Sequence, residues 1–88
     1  MRQNVIKIRE MDIQTRVINI IRENLEYKGK INPGDNLTDD LGVDSFDMLM
    51  IVNNLEEEFS VQIDDDDLEG VNTVSDIVKG LGTKLTIK

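Results

Sequence analysis

The chain has no cysteine, no histidine and no tryptophan, and only one proline, two phenylalanines and one tyrosine among its 88 residues. Without cysteine the polypeptide can form no disulfide, offer no thiolate nucleophile and build no cysteine-based metal site. Without histidine it also lacks the commonest general base and the commonest transition-metal ligand. A self-contained enzyme is therefore not expected, and any thiol chemistry would need a borrowed thiol. No apolar run approaches the ~20 residues that span a bilayer, and the N-terminus lacks the apolar core of a secretory signal. The expectation is a cytoplasmic chain without membrane insertion.

Positive charge is missing from the middle of the sequence. All ten Lys and Arg lie at or before Lys30 or at and after Lys79, so the 48 residues from 31 to 78 contain none, while the same span holds fourteen Asp and Glu. The formal net charge of -8 is thus concentrated in one segment. Such a segment repels nucleic acid and attracts basic protein surfaces. The plainer role of acidity, keeping the chain soluble and monomeric, fits the same composition.

A chain of this length supports one small domain with a simple core. From Met11 the apolar residues Ile13, Val17, Ile20, Ile21 and Leu25 recur at helical spacing and predict a first helix ending near Lys28, with Gly29 as the left-handed residue that closes it. Residues 1–10 read as an N-terminal extension. The stretch "KINPGDNLTDDLGVD" predicts a long loop, which its apolar residues Ile31, Leu37, Leu41 and Val43 could pin to a core. A second helix is expected from Asp44 or Ser45 to about Phe59, burying Met48, Ile51, Val52, Leu55 and Phe59 and turning Phe46, Leu49, Met50, Asn53 and Glu57 outward. Three apolar side chains beside the helix start read as a docking surface.

"SVQIDDDDLEG" predicts a turn and a short helical piece centred on Asp66 to Glu69, anchored by Ile63 and Leu68. Thr73 and Asp76 resemble a capping box, and Val74, Ile77, Val78 and Leu81 follow with helical spacing, which predicts a last helix of two to three turns. The tail "TKLTIK", residues 83–88, is expected to be irregular. The fold class is all-α: a small bundle of three main helices and one short one, with the long loop between the first two.

The motif that draws attention is "LGVDSFD", which sets Ser45 between Asp44 and Asp47 at the start of the second helix. Three roles are open for it. Asp44 or Ser45 could cap the helix, with Asp47 completing a reciprocal cap. Ser45 could be a nucleophile, but that needs a base, and with no histidine and no lysine between residues 31 and 78 only a carboxylate is nearby in sequence. Or Ser45 could be modified by another protein, for which an exposed helix start with a gripping surface is suited.

The stretch "LGVDSFDMLMIVNNLEEEF", continued by "VQIDDDDLEGVNTVSDIVKGL", resembles the acyl carrier protein family, in which a Leu-Gly-x-Asp-Ser-Leu motif opens an acidic second helix. The resemblance runs over roughly residues 11–82. It implies that Ser45 is esterified by 4'-phosphopantetheine, which a separate phosphopantetheinyl transferase donates from coenzyme A. The arm would supply the missing thiol and carry acyl groups as thioesters, while acyl-loading, condensing and tailoring enzymes with basic surfaces perform the chemistry. The carrier's own tasks would be recognition and shielding. By the same resemblance Asp44, Asp47, Glu56 and Glu57, with Asp40 nearby, meet the partners' Arg and Lys.

Three residues depart from the family pattern. Phe46 replaces the usual Leu after the serine, Met50 stands where fatty-acid carriers commonly have a glutamate, and Asn53 where they commonly have an apolar residue. That face is thus expected to suit partners other than, or additional to, a housekeeping fatty-acid synthase. A polyketide or lipid pathway and a stand-alone aminoacyl, D-alanyl or peptidyl carrier remain open, although the Gly-Gly-x-Ser form of peptidyl carriers is absent. The reading from another class is a non-carrying acidic module that binds cations or a basic partner; "DDDDLEG" does not follow the calcium-loop spacing.

Overall fold

The computed structural model describes residues 10–85, which fold into four helices: α1 (Glu10–Leu25), α2 (Ser45–Phe59), α3 (Asp65–Leu68) and α4 (Val74–Leu85). Three are long and one is a single turn, as the apolar spacing predicts. Residues 1–9 of the expected N-terminal extension and residues 86–88 of the expected tail lie outside the described residues.

α1 is the spine, and both α2 and α4 pack directly against it. Its stripe of Ile13, Val17 and Ile21, spaced by four residues, is fully buried. Against it lie Ile51, Leu55 and Phe59 of α2 and Val74, Ile77, Val78 and Leu81 of α4. Each large side chain in this core contributes roughly 1.5–3 kcal/mol through burial. Met48, expected in the buried stripe of α2, is only half-buried and packs at the margin of the core.

The first helix ends earlier than its sequence predicts. The left-handed residue is Glu26, with φ 53°, not Gly29. The Tyr27 N–H donates to the Arg22 carbonyl at 3.1 Å, closing the helix in the Schellman manner. Gly29 has a different purpose. A Cβ there would stand 3.0 Å from the Tyr27 ring, and its carbonyl accepts from the Arg22 guanidinium at 2.7 Å.

The loop from Glu26 to Asp44 is ordered by buried anchors and backbone bonds. Ile31, Leu37, Leu41 and Val43 are all buried. The Leu37 N–H donates to the Asn72 carbonyl at 2.8 Å, Val74 N–H to Asp35 at 3.1 Å and Ser75 N–H to Pro33 at 2.8 Å, so the loop is tied to the start of α4. Gly42, with φ +73°, makes the reversal that an L side chain would resist just before α2.

α4 starts on a reciprocal cap. Thr73 Oγ1 accepts from the Asp76 N–H at 3.1 Å, while Asp76 Oδ2 accepts from the Thr73 and Asn72 N–H groups at 3.0 and 2.9 Å. The helix runs to Leu85, so Thr83, Lys84 and Leu85, expected to be irregular, are helical. Tertiary contacts decide this. Leu85 packs on the core, and Lys84 Nζ reaches Asp67 of α3 at 3.0 Å.

The amides of Asn72 and Thr73 hold the Asp76 carboxyl below the usual carboxylate range. A lowered folded pKa stabilises the fold fully above the ordinary value of about 3.9, and that contribution disappears as the pH falls through the lower folded value. Asp76→Asn, which keeps an acceptor but not the charge, is expected to lower the urea midpoint at pH ~7 and to lose the difference from the parent chain as the pH falls below the ordinary carboxylate range. Urea titrations across that range check it.

Candidate functional site

The site grows from the start of α2. Asp44 is the N-cap: its Oδ1 accepts from the Asp47 N–H at 2.8 Å, and Asp47 Oδ2 accepts from the Asp44 N–H at 3.2 Å. Of the two capping candidates it is therefore Asp44 that caps, and Ser45 is the first residue of the helix proper. With the capping bonds made by its neighbours, the Ser45 side chain is exposed and makes no hydrogen bond among the described residues. Being at a helix N-terminus, its surroundings include oriented amide dipoles that favour negative charge, offset by two carboxylates.

Ser45 borders an open depression of about 600 Å³ between the loop and α3, lined also by Leu37, Gly42, Val43, Met48, Leu68 and Val71. Met48, Leu68 and Val71 in turn line a second, more enclosed cavity of about 320 Å³ between α2, α3 and α4. The walls of this cavity are mainly apolar, from Val52 and Leu55 of α2, Ile63 before α3, and Ile77 and Leu81 of α4. The depression beside the serine, whose rim also includes Thr38, Asp44 and Asn72, and the cavity inside the bundle are thus neighbours that share the side chains of Met48, Leu68 and Val71. The sequence marks Met48, Ile63 and Leu68 as core or anchors, but a cavity is a gap between elements and no local pattern signals it.

The outward face of α2 is as its periodicity predicts. Phe46 is 68%, Leu49 56% and Met50 39% exposed, and Asn53 and Glu57 are exposed beside them. Two of the expected recognition acids are engaged inside the fold. Asp40 Oδ2 accepts from the Asn36 N–H at 2.7 Å, and Glu56 Oε2 accepts from the Ile63 N–H at 2.8 Å, holding the turn between α2 and α3. Glu58, on the side away from the apolar trio, pairs with Arg16 at 3.5 Å.

The four consecutive aspartates do not converge. Asp67 Oδ2 accepts from the Asp64 N–H at 2.8 Å and also meets Lys84, and the amide first and the ammonium second hold its carboxyl below the usual range. Asp65 and Asp66 are exposed. Among the described residues no group of three Asp or Glu is arranged to hold a metal ion, and no helix is long and apolar enough to cross a membrane.

Comparison with known proteins bears on this geometry. The family model described as a phosphopantetheine attachment site matches residues 15–81. An acyl carrier protein of Thermotoga maritima is 41% identical over 75 residues, covering 84% of this chain and 93% of that protein. One from Syntrophobacter fumaroxidans is 44% identical over 66 residues, covering 74% of this chain and 82% of that protein. Among solved structures, a candidate acyl carrier protein from Anaplasma phagocytophilum superposes with a TM-score of 0.80 at 25% identity, covering 96% of this chain and 100% of that one. Another from Mycobacterium tuberculosis gives 0.77 at 26% identity, covering 82% and 97%. A serine-headed acidic helix, an apolar space beside it and relatives matched over most of their length lead to one conclusion: the chain belongs to the acyl carrier protein family, whose members are carriers rather than enzymes and bear a covalently attached 4'-phosphopantetheine.

Proposed function

We propose that Ser45 is the attachment residue of the phosphopantetheine arm, and that the domain shuttles acyl groups between enzymes while shielding them in the cavity between α2, α3 and α4. The observation that carries this reading is the position of Ser45: exposed, free of internal hydrogen bonds, and on the rim of a depression that shares Met48, Leu68 and Val71 with the apolar cavity inside the bundle. The fit is chemical as well as geometric. Thr73 and Thr83 are occupied by backbone bonds, whereas the Ser45 hydroxyl is available. A phosphodiester on it would sit at the positive end of α2.

No residue beside Ser45 serves as its base, so the transferase must provide one. The Ser45 Oγ–P bond forms as the pyrophosphate link of coenzyme A breaks, adenosine 3',5'-bisphosphate leaves with the bridging oxygen, and the hydroxyl proton passes to the transferase. The arm, once bound, supplies the thiol on which acyl groups ride. Asp44 and Asp47 hold the helix start rigid, which presents Ser45 in one orientation.

Recognition rests on the outer face of α2. Phe46, Leu49 and Met50 supply an apolar centre, Asn53 a neutral polar edge, and Asp47 and Glu57 the charges that steer a basic rim. Exposed ion pairs contribute about 1 kcal/mol or less, so they set encounter rate and register more than residence. Asp44, Asp40 and Glu56, whose carboxylates accept backbone amides, shape the surface and add their charge to its field. Under this reading the domain works as a monomer in the cytoplasm, exchanging quickly among a phosphopantetheinyl transferase and acyl-handling enzymes. The apolar weighting of the face favours a pathway other than housekeeping fatty-acid synthesis.

Incubation with a phosphopantetheinyl transferase and coenzyme A is expected to raise the intact mass by one phosphopantetheine, and Ser45→Ala to abolish the gain while retaining the helical fold. An unchanged parent mass would sink the carrier reading. Asp47→Asn with Glu57→Lys keeps an acceptor for the Asp44 amide, and is expected to slow modification about three- to tenfold at low ionic strength, with the gap closing at high salt. Transferase kinetics at two salt concentrations check it. Phe46→Leu with Met50→Glu is expected to raise acceptance of the loaded carrier by a fatty-acid condensing enzyme several-fold without changing stability. Equal kcat/KM for both forms would remove the case for a specialised face.

A further inference from the structure

α4 carries a glycine, Gly80, where a helix interior ordinarily avoids one. Neither usual structural reason for glycine applies. Its backbone is not in the left-handed region, which among the described glycines is occupied by Gly42 and Gly70. Nor does another group press against it, since a Cβ at position 80 would meet nothing within 4 Å.

Gly80 is itself solvent-exposed and stands at the open side of the cavity, among its lining residues. On a helix, residues three and four apart share a face. The four such neighbours of Gly80, namely Asp76, Ile77, Thr83 and Lys84, all line the cavity, as does Gly80 itself. A side chain at position 80 would lean toward the helix N-terminus, over Asp76 and Ile77. It would therefore take up space along the α4 wall of the cavity, whose other walls include Val52 and Leu55 of α2. Gly82 is a control within the same helix. It lies ~200° further round, does not line the cavity, and also has open space at its Cβ position.

We propose that Gly80 determines the length of acyl chain this domain can enclose, by leaving the α4 wall of the cavity without a side chain. The inference rests on the carrier reading above and adds a residue and a cargo class to it. The cavity's 320 Å³ is about twice the ~150 Å³ of an apolar protein cavity that takes benzene. It therefore suits an unbranched acyl chain of medium length. A leucine at position 80 fills part of that volume, and each methylene so displaced weakens enclosure about fourfold.

The test uses the full chain, its Gly80→Leu variant and its Gly82→Leu variant, each loaded on Ser45 by a transferase from the coenzyme A analogue that bears an amide-linked butanoyl, octanoyl, dodecanoyl or hexadecanoyl group. Thermal midpoints are read relative to the arm without an acyl group. In the parent chain the midpoint is expected to rise from butanoyl to octanoyl or dodecanoyl and then level off. Gly82→Leu should follow the same profile from its own baseline. Gly80→Leu should keep the butanoyl increment and lose the further rise. Parallel profiles for Gly80→Leu and the parent would overturn the proposal, as would a parent profile that is flat with length, which refutes cargo enclosure but leaves attachment standing. Failure of any loading at Ser45 instead overturns the carrier reading itself. Leucine is the better helix former, and circular dichroism of the unloaded variants confirms that α4 is retained; if Gly80→Leu loses helix, Gly80→Ala is read in the same series and must shorten the profile to a smaller degree.

Discussion

The packing of α2 and α4 on α1, rather than on each other, is the constraint from which the rest of the molecule follows. α1 presents a single buried stripe of Ile13, Val17 and Ile21, and the two longer partners each place one apolar face upon it. Between α2 and α4 lies the cavity, and α3, which has four residues and none of them buried, supplies a further wall.

Because α3 buries little, polar contacts fix its position. The Asp64 amide bonds to Asp67, Lys84 reaches Asp67 from the last turn of α4, and the Glu56 carboxylate holds the Ile63 amide before α3 begins. These are exposed or half-exposed contacts, each weak in water. The opposite side of the bundle, where α1 meets α2 and α4, is held by buried Ile, Leu and Val. Local opening free energy follows buried apolar contacts, so the cover over the cavity is the cheapest part of the domain to move and the spine the most expensive. That division suits the proposed shielding of cargo, in which the cover yields while the spine keeps the fold.

The parts of this arrangement that were legible in the sequence are those set by neighbours along the chain. The helix order, the Asp44–Asp47 and Thr73–Asp76 caps, and the outward Phe46, Leu49 and Met50 all follow from spacing of three or four residues. Where the chain folds back on itself the local signal misleads. Gly29 looks like a helix terminator, yet α1 closes at Glu26 because Tyr27 packs on the core and Arg22 binds the Gly29 carbonyl. The tail alternates like a strand, yet Thr83 to Leu85 extend α4 because Leu85 finds the core and Lys84 finds Asp67. Asp40 and Glu56 look free to meet partners, and only the folded backbone shows the amides that occupy them. The cavity was the least legible, for it belongs to no element.

The uneven charge of the chain acquires a structural sense from the same geometry. The carboxylates of the cation-free span form several populations. The first, Asp44, Asp47, Asp67 and Asp76, takes amide hydrogens at helix starts, where negative charge also suits the helix dipole; Asp35, Asp40 and Glu56 take amide hydrogens in the loop and the turn. Asp65, Asp66 and Glu57 stay in water. The first population lets an 88-residue chain begin short helices without disulfide, metal or bulky aromatic core. Those same carboxylates keep part of their charge at the surface, so the residues that start α2 also contribute to the field a basic partner meets. On the reading proposed above, folding and recognition draw on one set of side chains at the start of α2, and the apolar Phe46 beside Ser45 lies outside the cap.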